Sequence, residues 1–148
     1  EERAMLTLAE ILEMERALRG RRVLSVLVDT SAMDPASRAR WRTDLACALA
    51  RLHAEAVRLP PGDRTALELC LAHLHTELEA MRWNPGGPAW VAYATTDDVI
   101  LCGPVRARVQ TGAFWQRGMV VAPLQTPLTT APVYARVSPT SEVRSAAS

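Results

Sequence analysis

From Val23 to Val28 the chain is apolar at every position but Ser25, and polar residues, Arg22 and Asp29-Thr30, close the run at both ends. A stretch this short and rich in Val and Leu suits a strand covered on both faces. The residues after it restrict the fold. Asp34-Pro35 pairs an N-cap residue with a proline at the first helical position, and helical spacing then continues to about Leu59. Trp41, Leu45, Ala48, Leu49, Leu52 and Ala56 mark one stripe along it. Pro60-Pro61-Gly62-Asp63 is a turn whose Asp63 can cap the next helix. Leu67, Leu71, Leu74, Leu78 and Met81 carry that helix to about Arg82. Two stripes joined by so short a turn predict an antiparallel helical hairpin.

Asn84-Pro85-Gly86-Gly87-Pro88 ends the helical region and opens a run of strands. Residues 90–94 and 99–102 flank the polar tip Thr95-Thr96-Asp97-Asp98, which reads as a hairpin loop. Over 105–111, Val105, Ala107 and Val109 alternate with Arg106, Arg108 and Gln110, the period of a strand. A further strand is expected over about 118–122, stopped by Pro123. Ahead of all these, Thr7 and Glu10 form a capping-box pair for a helix over 7–19, which Gly20 ends. The order predicts an α+β fold: a mainly antiparallel sheet of four to five strands packed by three helices, including the long helical hairpin. One domain is expected over residues 1–137, with a short edge strand near 132–137 and a disordered tail over 138–148.

With 148 residues, 49% hydrophobic and 22% charged, the chain can bury a core without staples. No apolar run approaches a membrane span and the charged start shows no secretory leader, so a cytoplasmic location is expected. Cys47, Cys70 and Cys102 lie far apart, which suits buried reduced thiols better than a disulfide framework. Net charge is only +1, yet all 17 basic residues other than histidine are arginine. Arginine pairs bidentately with phosphate and stacks on bases. GC-rich codon usage produces the same bias across an Ala- and Pro-rich chain.

The strand Val23-Leu24-Ser25-Val26-Leu27-Val28-Asp29-Thr30, the Arg- and Ala-rich helix with Trp41, Trp90-Val91-Ala92-Tyr93-Ala94 before a short loop, and Val121-Ala122-Pro123-Leu124 occur in a particular order. Together they resemble the N-terminal domain of the bacterial relatives of archaeo-eukaryotic class I peptide chain release factors, over roughly residues 7–124. The resemblance implies a part in translation, as the N-terminal portion of a longer release, rescue or hibernation factor. It does not carry over the termination chemistry. Gly86-Gly87 is followed by Pro88 rather than Gln, a chain without lysine has no Asn-Ile-Lys-Ser motif, and no Cys stands two residues after Tyr93.

Arg106, Arg108 and Arg117 with Trp115 offer phosphate-pairing forks and a stacking plane, the mixture that single-stranded RNA requires. These four are the expected RNA-binding residues. A second cluster, Arg16, Arg19, Arg21 and Arg22, also suits the C-terminal dipole of the first helix. Cys70 and His73 share a helix face, but zinc would need ligands from elsewhere, and neither metal nor cofactor is expected. Cys47 near Asp44 and His53 lacks the setting of a nucleophile, Ser25 lies within a strand, and Asp97-Asp98 suits a turn. The expected function is therefore non-catalytic: binding of ribosome or RNA, with no membrane contact. The alternative is a structural or regulatory homodimer formed through the leucine-rich helices.

Overall fold

The computed structural model describes residues 5–31, 35–83 and 85–125. The expected edge strand near 132–137 and the tail from Ser138 lie outside the described residues. The fold is α+β, with strands β1 (Arg22–Asp29), β2 (Ala89–Ala94), β3 (Val99–Val105) and β4 (Gly112–Arg117) in one antiparallel sheet of order β3-β2-β1-β4. Helices α1 (Leu8–Ala17), α2 (Pro35–Ala56) and α3 (Pro61–Trp83) and a 3-10 turn, Ala122–Gln125, complete the described elements.

The two central strands explain the uninterrupted apolar runs. Leu24, Val26 and Val28 of β1 and Trp90, Ala92 and Ala94 of β2 point to one face of the sheet. Val23 and Leu27, with Ala89, Val91 and Tyr93, point to the other. Period-2 alternation with both sets buried leaves no polar face to pattern.

Helices α2 and α3 cover the first face with the expected stripes, of which Trp41, Leu45, Leu52, Leu67, Leu74 and Met81 are buried there. The stripes thus seal against the sheet. Arg64 holds the turn between the helices, donating from Nε to the Ala56 carbonyl (3.2 Å) and from its terminal nitrogen to that of Val57 (2.9 Å). The Ala56 carbonyl also accepts from Leu59 N–H at 3.1 Å, so Arg64 adds a second donor there and a donor to Val57 at the end of the helix. Helix α1 and the segment after β4 cover the second face with Ile11, Leu18, Met119 and Leu124. Among the described residues no helix is long and apolar enough to cross a membrane.

Two strand assignments need correction. Residues 106–111 are not a strand but a crossover, because β3 and β4 lie at opposite edges of the sheet. The crossover buries Ala107 and half-buries Val109 in the second core while Arg106, Arg108 and Gln110 face water. A segment lying along a core edge has the same period-2 burial as an edge strand, without a ladder. The last strand is residues 112–117 rather than 118–122. Gly118, at φ 83°, ends it, and Met119, Val120 and Val121 then pack across the second face. Two thiols also depart from expectation: Cys47 is exposed, lying on the side of α2 away from the Trp41–Leu45–Leu52 stripe, and Cys102 is half-buried, while Cys70 is buried.

Candidate nucleic-acid interface

The expected site residues do not converge. Arg106 and Arg108 stand on the crossover, at the end of the sheet where β3 finishes and β4 begins. Arg117 lies at the other end of β4, in register with Arg22, whereas Gly112 is in register with Leu27. Five residue steps along a strand separate Gly112 from Arg117, about 17 Å at the usual rise of about 3.4 Å per residue.

Trp115 is turned away from both groups. It is opposite Leu24 and packs against the helix-covered core. Its indole N–H is buried with no hydrogen-bond partner among the described residues. Strand alternation puts Phe114 on the opposite face, where its side chain is 40% exposed. Of the adjacent pair Phe114-Trp115, the larger ring is a packing residue and the smaller one meets solvent.

Four arginines at the Arg117 end are engaged internally, whereas Arg16 of α1 is exposed with no partner among the described residues. Arg117 donates to the Gly20 carbonyl at 2.6 Å. Arg21 pairs with Asp97 at 3.0 Å, Arg22 reaches Asp63 at 3.8 Å, and Arg19 pairs with Glu15 at 3.1 Å. These contacts are exposed, so each adds little stability. They nevertheless place a carboxylate beside three of the four guanidinium groups, which lowers the pull of this end on a polyanion. Asp98, the neighbour of Asp97, caps its own hairpin by accepting from Val99 N–H at 2.7 Å. The Asp98 carboxylate thus serves the turn, while that of Asp97 pairs with Arg21.

Arg106 and Arg108 differ. Both are exposed, and neither guanidinium has an ion-pair or hydrogen-bond partner among the described residues. Gln110, the next outward-facing residue, borders two clefts. One is a polar cleft of about 280 Å³ with Asp29, Arg40, Asp44 and Thr111. The other, of about 410 Å³, is lined by Leu27, Arg108, Val109, Phe114 and Pro123. Asp29 is anchored within the first: it accepts from the Ser31 backbone N–H at 3.0 Å and hydroxyl at 2.6 Å, and its own N–H donates to Thr111 Oγ1 at 3.0 Å. Thr111 thereby ties the crossover to the end of β1.

The side chains weighed for metal or nucleophilic chemistry are dispersed. Burial pushes the Cys70 thiol up to about 11. His73, half-buried, has its Nε2 3.0 Å from the Thr96 carbonyl, which requires the Nε2–H form for a hydrogen bond. Among the described residues no three His, Cys, Asp or Glu side chains form a group able to hold a metal ion. Ser25 is buried, and its hydroxyl accepts from Val120 N–H.

No family model matches the chain, and no curated protein and no solved structure matches it either. Of the four expected residues, Arg106 and Arg108 lie close together on the crossover, Arg117 and Trp115 lie elsewhere, and Phe114 and Gln110, which were not among the four, border the same segment. Phe114 and Trp115 fall between the strands expected at 105–111 and 118–122, so the alternation that separates the two rings on β4 could not be applied to them.

Proposed function

We propose that this domain binds single-stranded RNA, free or in the ribosome, through the crossover between β3 and β4, and that it contributes binding rather than catalysis. The observation that supports the reading is the pair of exposed guanidinium groups, Arg106 and Arg108, which lack internal partners among the described residues while Arg19, Arg21, Arg22 and Arg117 have them. A free arginine exchanges only water and counterions for phosphate, whereas an engaged one must first give up its partner. The order of landmark residues, which resembles a release-factor N-terminal domain, favours the same reading. In it the chain acts in the cytoplasm as the N-terminal part of a longer release, rescue or hibernation factor.

The test is the salt dependence of binding to a short single-stranded RNA. Two arginines on phosphates give a slope of log affinity against log salt of about −1.4. Replacing both Arg106 and Arg108 with Ala is expected to flatten that slope, and Arg117→Ala is expected to leave it unchanged. Absence of binding at low salt, or a slope that follows Arg117 instead, would overturn the reading.

A further inference from the structure

The cleft of about 410 Å³ beside the crossover has a composition that phosphate pairing alone does not account for. Leu27, Val109 and Pro123 give it apolar walls, Arg108 and Gln110 add polar groups, and Phe114 lines it with a ring. That volume lies within the usual range for small-molecule sites, about 300–1,000 Å³.

The ring is held by its own strand. A Cβ on Gly112 would lie 2.8 Å from Phe114 Cζ and 3.0 Å from Cε2, so the ring occupies the space that any other residue at 112 would fill. Glycine therefore permits the aromatic plane to lie back along the strand while it still lines the cleft. Leu27, the cross-strand partner of Gly112, stands beside it.

An aromatic plane, an unpaired guanidinium and an amide with both donor and acceptor are complementary to a planar heterocycle linked to an anion. We propose that this cleft seats one unpaired base of a single-stranded RNA, stacked on Phe114, with Gln110 at the base edge and Arg108 on the adjoining phosphate. The proposal rests on the RNA-binding reading of the crossover and adds the base as a recognised group. A strand rather than a free mononucleotide is the occupant, because Arg106 continues the run of unpaired guanidinium groups beyond the cleft.

The experiment measures the affinity of the whole chain for a short oligouridine and for an abasic ribose-phosphate oligomer of equal length. Uridine monophosphate serves as a third probe, and thermal melts confirm folding of each variant. Phe114→Leu is expected to weaken oligouridine binding by about fivefold to 150-fold, the range for loss of one stacked base, and to leave the abasic oligomer unaffected. Gly112→Ala, which displaces the ring without removing a contacting group, is expected to act in the same direction. Neither variant should change the salt slope, whereas Arg108→Gln should reduce it. Oligouridine binding that Phe114→Leu does not weaken relative to the abasic oligomer would overturn the base seat and leave the RNA reading standing. Uridine monophosphate binding as tightly as the oligomer would overturn the strand as occupant. Failure of the native chain to bind either oligomer at low salt would overturn the RNA reading and the seat together.

Discussion

Ser25 and Tyr93 face each other across the β1–β2 ladder, and their hydroxyls hold the same residue by its two backbone polar groups. Ser25 Oγ accepts from Val120 N–H at 3.1 Å, and Tyr93 Oη donates to the Val120 carbonyl at 2.8 Å. Val120 comes after the end of β4 and has no ladder of its own, so without this pair its peptide groups would be covered and unpartnered. A serine inside an otherwise apolar strand thus has a definite use. It secures the segment that closes the second face of the sheet.

Removal of either hydroxyl should therefore cost more than an ordinary surface hydrogen bond. Ser25→Ala and Tyr93→Phe each leave one Val120 group unsatisfied, at about 1–3 kcal/mol. Because both act on one residue, the double variant should lose less than the sum of the two, with a coupling of at least about 0.5 kcal/mol. Denaturant unfolding of the four-member cycle checks this. Strict additivity would show that the two hydroxyls act independently.

How far the fold was legible depends on which signals are local. The helix stripes, the capping pair Thr7 and Glu10 and the hairpin tip Thr95–Asp98 depend on short spacings and can be read directly. The crossover could not be told from a strand, because Val105, Ala107 and Val109 are inward-facing in either case. Only the sheet order, a long-range property, requires the chain to travel from one edge to the other at that point. The site suffered the same limit. Arg106 and Arg108 stand two residues apart on one segment, whereas the length of β4 separates them from Arg117, and which of Phe114 and Trp115 is covered depends on the layers packed against the sheet rather than on local spacing.

The three thiols should separate by reactivity. Cys47 is exposed, Cys102 is half-buried with its Sγ 3.4 Å from a Glu77 carboxylate oxygen, and Cys70 is buried. Burial pushes Cys70 up to about 11, so at about pH 8 it carries almost no thiolate, the reactive form. Maleimide labelling followed by peptide mass spectrometry is expected to modify Cys47 first and Cys70 only when the protein is unfolded. Early labelling of Cys70 in folded protein would contradict its place in the core.

The capping box of α1 makes stability depend on acid. Glu10 accepts from Thr7 N–H at 2.9 Å and from the Thr7 hydroxyl at 3.0 Å, and these bonds hold its carboxyl below the ordinary 4.5. Its lowered value in the folded state means that the folded chain favours the carboxylate. The gain is full above 4.5 and is lost as pH falls through the depressed folded value. Melting temperatures of the native chain and of Glu10→Gln, compared from about pH 7 to about pH 3, should differ most at the upper end and converge at the lower. A difference that stays constant over the whole range would rule out the carboxylate as its source.

Two glycines should respond oppositely to the same added methyl group. Gly62, in the first turn of α3, has open space where a Cβ would stand, and its backbone is not in the left-handed region. Gly62→Ala is expected to stabilise by about 0.4–1 kcal/mol, since alanine has less backbone freedom to lose on folding. Gly87 lies where the segment before β2 passes under the end of β3. A Cβ there would stand 2.7 Å from Met5 Cε and 3.0 Å from Pro104 Cβ. The methionine end can swing aside, but the proline ring belongs to the ladder and its carbonyl already accepts from Leu6 N–H at 2.9 Å. The Gly87 carbonyl is fixed as well, accepting from Thr30 Oγ1 at 2.7 Å. With neighbours bound on both sides, Gly87→Ala is expected to destabilise by about 1–3 kcal/mol. Denaturation midpoints of the two variants, measured beside the native chain, should therefore move in opposite directions; a Gly87→Ala midpoint at or above the native one would show that β3 does not close over Gly87 as described, and a lowered Gly62→Ala midpoint would contradict the open space at Gly62.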